Sequence, residues 1–118
     1  MSDRPILVTG AGGFVCSEIA LALHRSGRNV LAVDQVFDVA TAARLKGIRQ
    51  IEGQLPQVLS ELSNVEFESV IHGAAITASP ERLGISYAAH IRRNMDLLTT
   101  TLDSSRGAGA TKFLFISS

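Results

Sequence analysis

Short apolar runs alternate along the chain with longer stretches whose apolar residues recur at helical spacing. Ile6-Leu7-Val8 opens the series, and from Phe14 the apolar positions fall at Val15, Ile19, Ala22 and Leu23, one side of a helix. The pattern predicts strands over 5–9, 29–34, 48–51, 69–75 and 112–117. Helices are predicted over about 13–26, 40–46, 56–62 and 85–105, with Gly27 and Gly47 ending the first two. In the last helix Ile85, Ala88 or Ala89, Arg92, Met95, Leu98 and Leu102 follow helical spacing, a stripe in which only Arg92 is polar. Strand and helix in regular alternation imply a parallel sheet with right-handed crossovers and helices on both faces, a doubly wound α/β fold of strand order 3-2-1-4-5. No repeat, low-complexity tract or interdomain linker breaks it, so residues 1–118 read as one domain.

The junction of the first strand and first helix, Thr9-Gly10-Ala11-Gly12-Gly13-Phe14-Val15, carries the candidate chemistry. A glycine-rich turn there lets the chain reverse sharply and lets an anion approach the backbone without meeting a Cβ. The helix that follows offers its free N–H groups and the positive end of its dipole. A pyrophosphate suits that geometry, although glycines also serve ordinary turns and caps. Asp34 ends the second strand roughly twenty residues downstream, the reach needed for an adenosine ribose. A carboxylate there accepts from the two ribose hydroxyls and repels a 2′-phosphate. Gln35, Val36 and Phe37 supply no arginine for such a phosphate, so NAD is expected rather than NADP.

Composition narrows the partners. The chain has 118 residues, enough for a sizeable core at 46% hydrophobic content. Lys plus Arg and Asp plus Glu balance at 11 each, so nothing steers it toward nucleic acid or an anionic membrane, and phosphates would be held by backbone dipoles. Its single cysteine excludes an internal disulfide. No apolar run approaches a membrane span, and Met1 to Pro5 lead directly into the first strand, so the chain is read as cytoplasmic. His24, His72 and His90 fall in separate elements without ligand spacing to each other or to Cys16, so no metal is expected.

The glycine turn and Asp34, taken with Val70-Ile71-His72-Gly73-Ala74-Ala75, Asn94 and Lys112-Phe113-Leu114-Phe115-Ile116-Ser117-Ser118, resemble the NAD-dependent epimerase/dehydratase family, the extended short-chain dehydrogenases/reductases. The resemblance spans essentially the whole chain. It implies a Rossmann-like domain that binds NAD, within an enzyme that oxidises and reduces a hydroxyl or keto carbon of a small-molecule substrate, often a nucleotide sugar. By position, Gly10, Gly13, Phe14 and Val15 would lie against the pyrophosphate, with Gly12 also at the cofactor, and Asp34 would hold the ribose. Gln54 and Leu55 would flank the adenine, at a place where the family usually has an acidic residue. Gly73, Ala74 and Ala75 would let the backbone pass close to the cofactor, and Asn94 matches an asparagine of the following helix. His72 is expected to be a core histidine. Ser118 matches the catalytic serine or threonine. A homodimer through the helix after the fourth strand is also implied.

Two departures stand against the resemblance. Cys16 replaces the third glycine, where a thiol is expected to push the helix outward or force a repacking. The family's general acid/base is a tyrosine followed four residues later by a lysine, and here Tyr87 is followed by Ile91, with Lys46 and Lys112 the only lysines. The chain by itself is expected to be inactive, the cofactor-binding part of a larger enzyme whose substrate-binding portion lies elsewhere. A non-catalytic NAD-binding sensor or partner-binding module, and a Rossmann-like enzyme of another kind such as a methyltransferase, remain alternatives.

Overall fold

The computed structural model describes residues 3–116. Its elements run β1 (Ile6–Thr9), α1 (Phe14–Arg25), β2 (Val30–Asp34), α2 (Val39–Arg44), β3 (Arg49–Glu52), α3 (Leu55–Glu61), β4 (Ser69–His72), α4 (Pro80–Leu83), α5 (Tyr87–Gly107) and β5 (Lys112–Phe115). The five strands form one parallel sheet in the order β3-β2-β1-β4-β5, as the alternation predicts. β1 sits at the centre because its four residues are apolar or small and buried on both faces.

Alternate residues of each strand feed two cores. Ile6, Val8, Val30 and Ala32 meet Ala20 and Leu21 of α1 with Leu45 and Ile48 on one face, and Leu7, Leu31, Val33 and Val70 meet Val58 and Leu59 of α3 with Phe67 on the other. Gly27, at φ 87°, follows the Ser26 cap where α1 ends, whereas α2 already ends at Arg44 with Leu45 as its cap, three residues before Gly47.

Three sequence expectations are corrected. β4 ends at His72 rather than Ala75: the Gly73 N–H makes the last bond to the β1 backbone, at the Thr9 carbonyl 3.1 Å away, and the Ala74 N–H turns to the Thr9 hydroxyl at 3.2 Å. The helix expected over 85–105 is preceded by a separate turn, α4, capped by Ser79 with Pro80 in first place and closed by Gly84 at φ 69°. The stripe expected along α5 is not its buried face: Met95 and Leu102 are 49% and 45% exposed, and Tyr87 and Ile91 beside them 66% and 62%. α5 instead packs on α3 and β4 through Leu97, Thr101 and Ser105. Those hydroxyls bond back to Leu97 and Leu102 carbonyls of the same helix, at 2.7 and 2.8 Å, so small polar residues can be buried where the helix approaches closely.

Candidate functional site

A cleft of about 470 Å³ opens at the carboxyl end of the sheet, between the glycine turn on one side and the segment after β4 on the other. This is where β1 and β4 part, the position at which open α/β sheets receive ligands. Gly10 takes φ 70°, and its N-terminal neighbour Thr9 is fully buried. A Cβ on Gly10 would lie 2.5 Å from the Gly73 carbonyl, and one on Gly12 would lie 2.6 Å from the Val36 carbonyl oxygen. Both glycines are therefore required by close backbone approach. Gly13, the N-cap of α1, lines the cleft and offers no side chain to satisfy the first-turn N–H groups.

Asp34 closes the far end of the turn. Its carboxylate accepts from the Gly12 N–H at 2.8 Å and from the Gln35 N–H at 2.7 Å, which fixes it at the tip of β2 facing the cleft. Gln35 Nε2 donates to Gln54 Oε1 at 3.0 Å, and Leu55 is buried at the start of α3. Asp38 caps α2 by accepting from the Thr41 N–H, and this bond holds its carboxyl below the ordinary carboxylate range.

The opposite wall, residues 73–78, is tied down by side chains. Thr9 Oγ1 accepts from the N–H groups of Gly73 and Ala74 and is hydrogen-bonded to His72 Nδ1, 2.7 Å away. His72 Nε2 is a buried atom without a hydrogen-bond partner among the described residues. The ring lies 6.1 and 6.0 Å from the Phe113 and Phe115 rings, and burial pushes its pKa down. His72 is thus neutral and held in the core. Further along, Asn94 Oδ1 accepts from the Ile76 N–H at 2.7 Å, and His90 Nε2 donates to the Ala78 carbonyl at 2.9 Å.

Of the residues singled out by sequence, Gly10, Gly12, Gly13, Asp34, Leu55, Gly73, Ala74 and Ala75 line this one cleft. Phe14 and Val15 are exposed on the first turn of α1, and Gln54 is engaged with Gln35. Asn94 acts on the wall rather than in the cleft, through its bonds to Ile76. Ser118 and its neighbour Ser117 lie outside the described residues. Thr9, Val36, Asp38, Ile76 and His90 were missed. Only Asp38 left a sequence signal, an Asp just before a helix. Tyr87 is exposed and donates to Glu81, which holds the phenol pKa up and the carboxyl pKa down. Cys16 is buried, and desolvation together with the Asp34 charge pushes its thiol pKa up. Among the described residues no His, Cys, Asp and Glu group could hold a metal, and no helix is long and apolar enough to cross a membrane.

Known proteins agree with this arrangement. The chain is 32% identical to the UDP-glucose 4-epimerase of Neisseria gonorrhoeae over 96% of its own length and 36% of that protein's. It is also 32% identical to the Corynebacterium glutamicum enzyme of the same name, over 95% of its length and 34% of that protein's. A solved UDP-glucose 4-epimerase of Thermotoga maritima with UDP-glucose superposes with a TM-score of 0.74 at 26% identity, covering 95% of this chain and 37% of that one. An epimerase of Methanothermobacter thermautotrophicus shares the fold with a TM-score of 0.82 at 23% identity, over 98% of this chain and 35% of that one. The chain spans about a third of the length of these relatives. Residues 6–118 match the NAD dependent epimerase/dehydratase family, and the chain belongs to it.

Proposed function

We propose that this chain binds NAD in the cleft and forms the cofactor-binding part of an enzyme that moves a hydride at a hydroxyl or keto carbon, with a sugar or nucleotide sugar as substrate. The observation that carries the reading is the Asp34 carboxylate bonded to the Gly12 N–H at 2.8 Å, which sets a ribose acceptor and a phosphate-binding turn side by side. The residues fit the cofactor. Gly13 leaves the start of α1 open to a pyrophosphate, and Asp34 faces the cleft where two ribose hydroxyls could replace solvent around it. Leu55 and Val36 offer apolar surface to an adenine. NAD, when bound, supplies the hydride acceptor and donor. The protein orients it: backbone donors fix the phosphates, Asp34 the ribose, and Gly73 to Ala75 keep the opposite wall bare of large side chains. Ser118 is assigned to the reacting oxygen of the substrate by its match to the family's serine or threonine.

Self-association through α5 accompanies this reading, supported by the exposed Tyr87, Ile91, Met95 and Leu102. A cytoplasmic setting fits the buried free thiol. A second reading, an NAD-binding module without catalysis, is favoured by Tyr87, whose hydroxyl is committed to Glu81 and which has Ile91 four residues on.

Calorimetric titration of the full chain with NAD and then NADP tests the proposal. NAD is expected to bind at least about tenfold more tightly than NADP, and Asp34→Asn to narrow the gap by weakening NAD. A folded chain that binds neither dinucleotide, or both equally, overturns it.

A further inference from the structure

Cys16 occupies a position where a close helix–strand approach calls for glycine, yet α1 still lies against the sheet. The thiol is 4% exposed. The chain beside it carries no side chain at that point: a Cβ built on Gly73 would stand 2.2 Å from Cys16 Sγ. Atoms in ordinary contact stand about 3.5–4 Å apart, so sulfur and a Gly73 side chain exclude each other. On its other side Gly73 touches the glycine turn, since a Cβ on Gly10 would fall 2.5 Å from the Gly73 carbonyl carbon and oxygen. Its N–H is anchored on the Thr9 carbonyl at 3.1 Å. Gly73 is thus wedged between Cys16 and Gly10, and Gly10 and Gly73 stand on the two sides of the cleft.

We propose that Cys16 and Gly73 form one packing unit, in which the thiol fills the volume left by the absent side chain and sets the spacing between the phosphate-binding turn and the 73–75 wall. Cys16 and Gly73 are positioning residues. The bulk that a third glycine would have spared on the helix is accommodated by a glycine just past the end of β4. The consequence for ligand binding rests on the NAD reading above, whereas the packing relation stands independently of it.

A four-member cycle in the full chain tests the pair: wild type, Cys16→Ala, Gly73→Ala and the double variant. A Cβ on Gly73 would lie 3.7 Å from the Cys16 Cβ and 3.3 Å from the Thr9 carbonyl oxygen, so once the sulfur is removed the added methyl needs only a shift of a few tenths of an ångström at Thr9. Gly73→Ala alone is expected to lower the thermal midpoint by roughly 5–15 °C, as overpacking does, and to weaken NAD at least about tenfold. Cys16→Ala alone lowers the midpoint by roughly 3–8 °C. The double variant returns to within about 3 °C of wild type and recovers NAD affinity to within about threefold. AMP, which needs the Asp34 end alone, binds all four to within about threefold, whereas a merely structural defect weakens AMP and NAD together. A double variant whose midpoint is the sum of the two single losses overturns the pairing. Equal NAD affinity in all four, or parallel loss of AMP, overturns the positioning role. A folded wild type that binds no NAD overturns the cofactor reading, and the thermal cycle then decides the pairing by itself.

Discussion

The glycine turn and the segment after β4 face each other across the same cleft, and they are held by different means. Gly10, Gly12 and Gly13 are shaped by backbone: φ 70° at Gly10, contact distances that no Cβ could survive, and the cap of α1. Residues 73–78 have no regular structure and are fixed by side chains reaching in from β1 and α5: Thr9, Asn94 and His90. A wall built of backbone tolerates almost no substitution within itself. One built on clamps is tuned from outside, through residues that never touch a ligand.

The sharpest break of that contrast is Gly10→Ala. A methyl 2.5 Å from the Gly73 carbonyl, at a positive φ, is expected to cost about 2–4 kcal/mol and to abolish NAD binding in titration. A variant that folds and binds normally would show that the turn is not fixed by backbone contact. Next in size is Asn94→Ala, which leaves the Ile76 N–H without its acceptor at an expected loss of about 1–2 kcal/mol. Amide exchange should then quicken at Ile76 while Gly12 is unchanged, and equal acceleration at both sites would dissolve the distinction between the walls.

The smallest effect is a pH dependence centred on His72. Burial lowers its pKa in the folded chain, so the unfolded chain binds the proton more readily. The stability this neutral ring carries is present above the unfolded value of about 6.5 and is lost as pH falls below it, by at most about 1.4 kcal/mol per pH unit. Urea unfolding at about pH 7 and pH 5 measures the slope, and His72→Asn should flatten it. An unchanged slope would place the titrating group elsewhere.

The two walls also differ in how far they could be read from the chain alone. Short apolar runs, glycines and a carboxylate at a fixed remove are local patterns, and Gly10, Gly12, Gly13 and Asp34 were found by them. So was the strand order, because regular alternation leaves few ways to wind a parallel sheet. Thr9 with His72 and Asn94 with Ile76 pair across 63 and 18 residues, and nothing in either partner's own neighbourhood announces the bond. The same limit explains α5. Its helical period was legible, but its buried face is set by Thr101 and Ser105, whose hydroxyls are satisfied on their own helix, while apolar Met95 and Leu102 stay outside. Hydrophobicity ranks those positions in the wrong order when close approach, not apolar area, decides what packs.

Glu81 and Tyr87 join the turn of α4 to the first residue of α5, just beyond the clamped wall. The chain holds one tyrosine and no tryptophan, so when it is excited at wavelengths its phenylalanines do not absorb, its ultraviolet emission comes from this junction alone. A carboxylate that accepts from a phenol quenches it by drawing off the proton in the excited state. Opening of the junction should therefore brighten the protein against a dark background. Recorded beside the far-ultraviolet dichroism of the whole chain, that light would report whether the α4–α5 corner loosens before the sheet does.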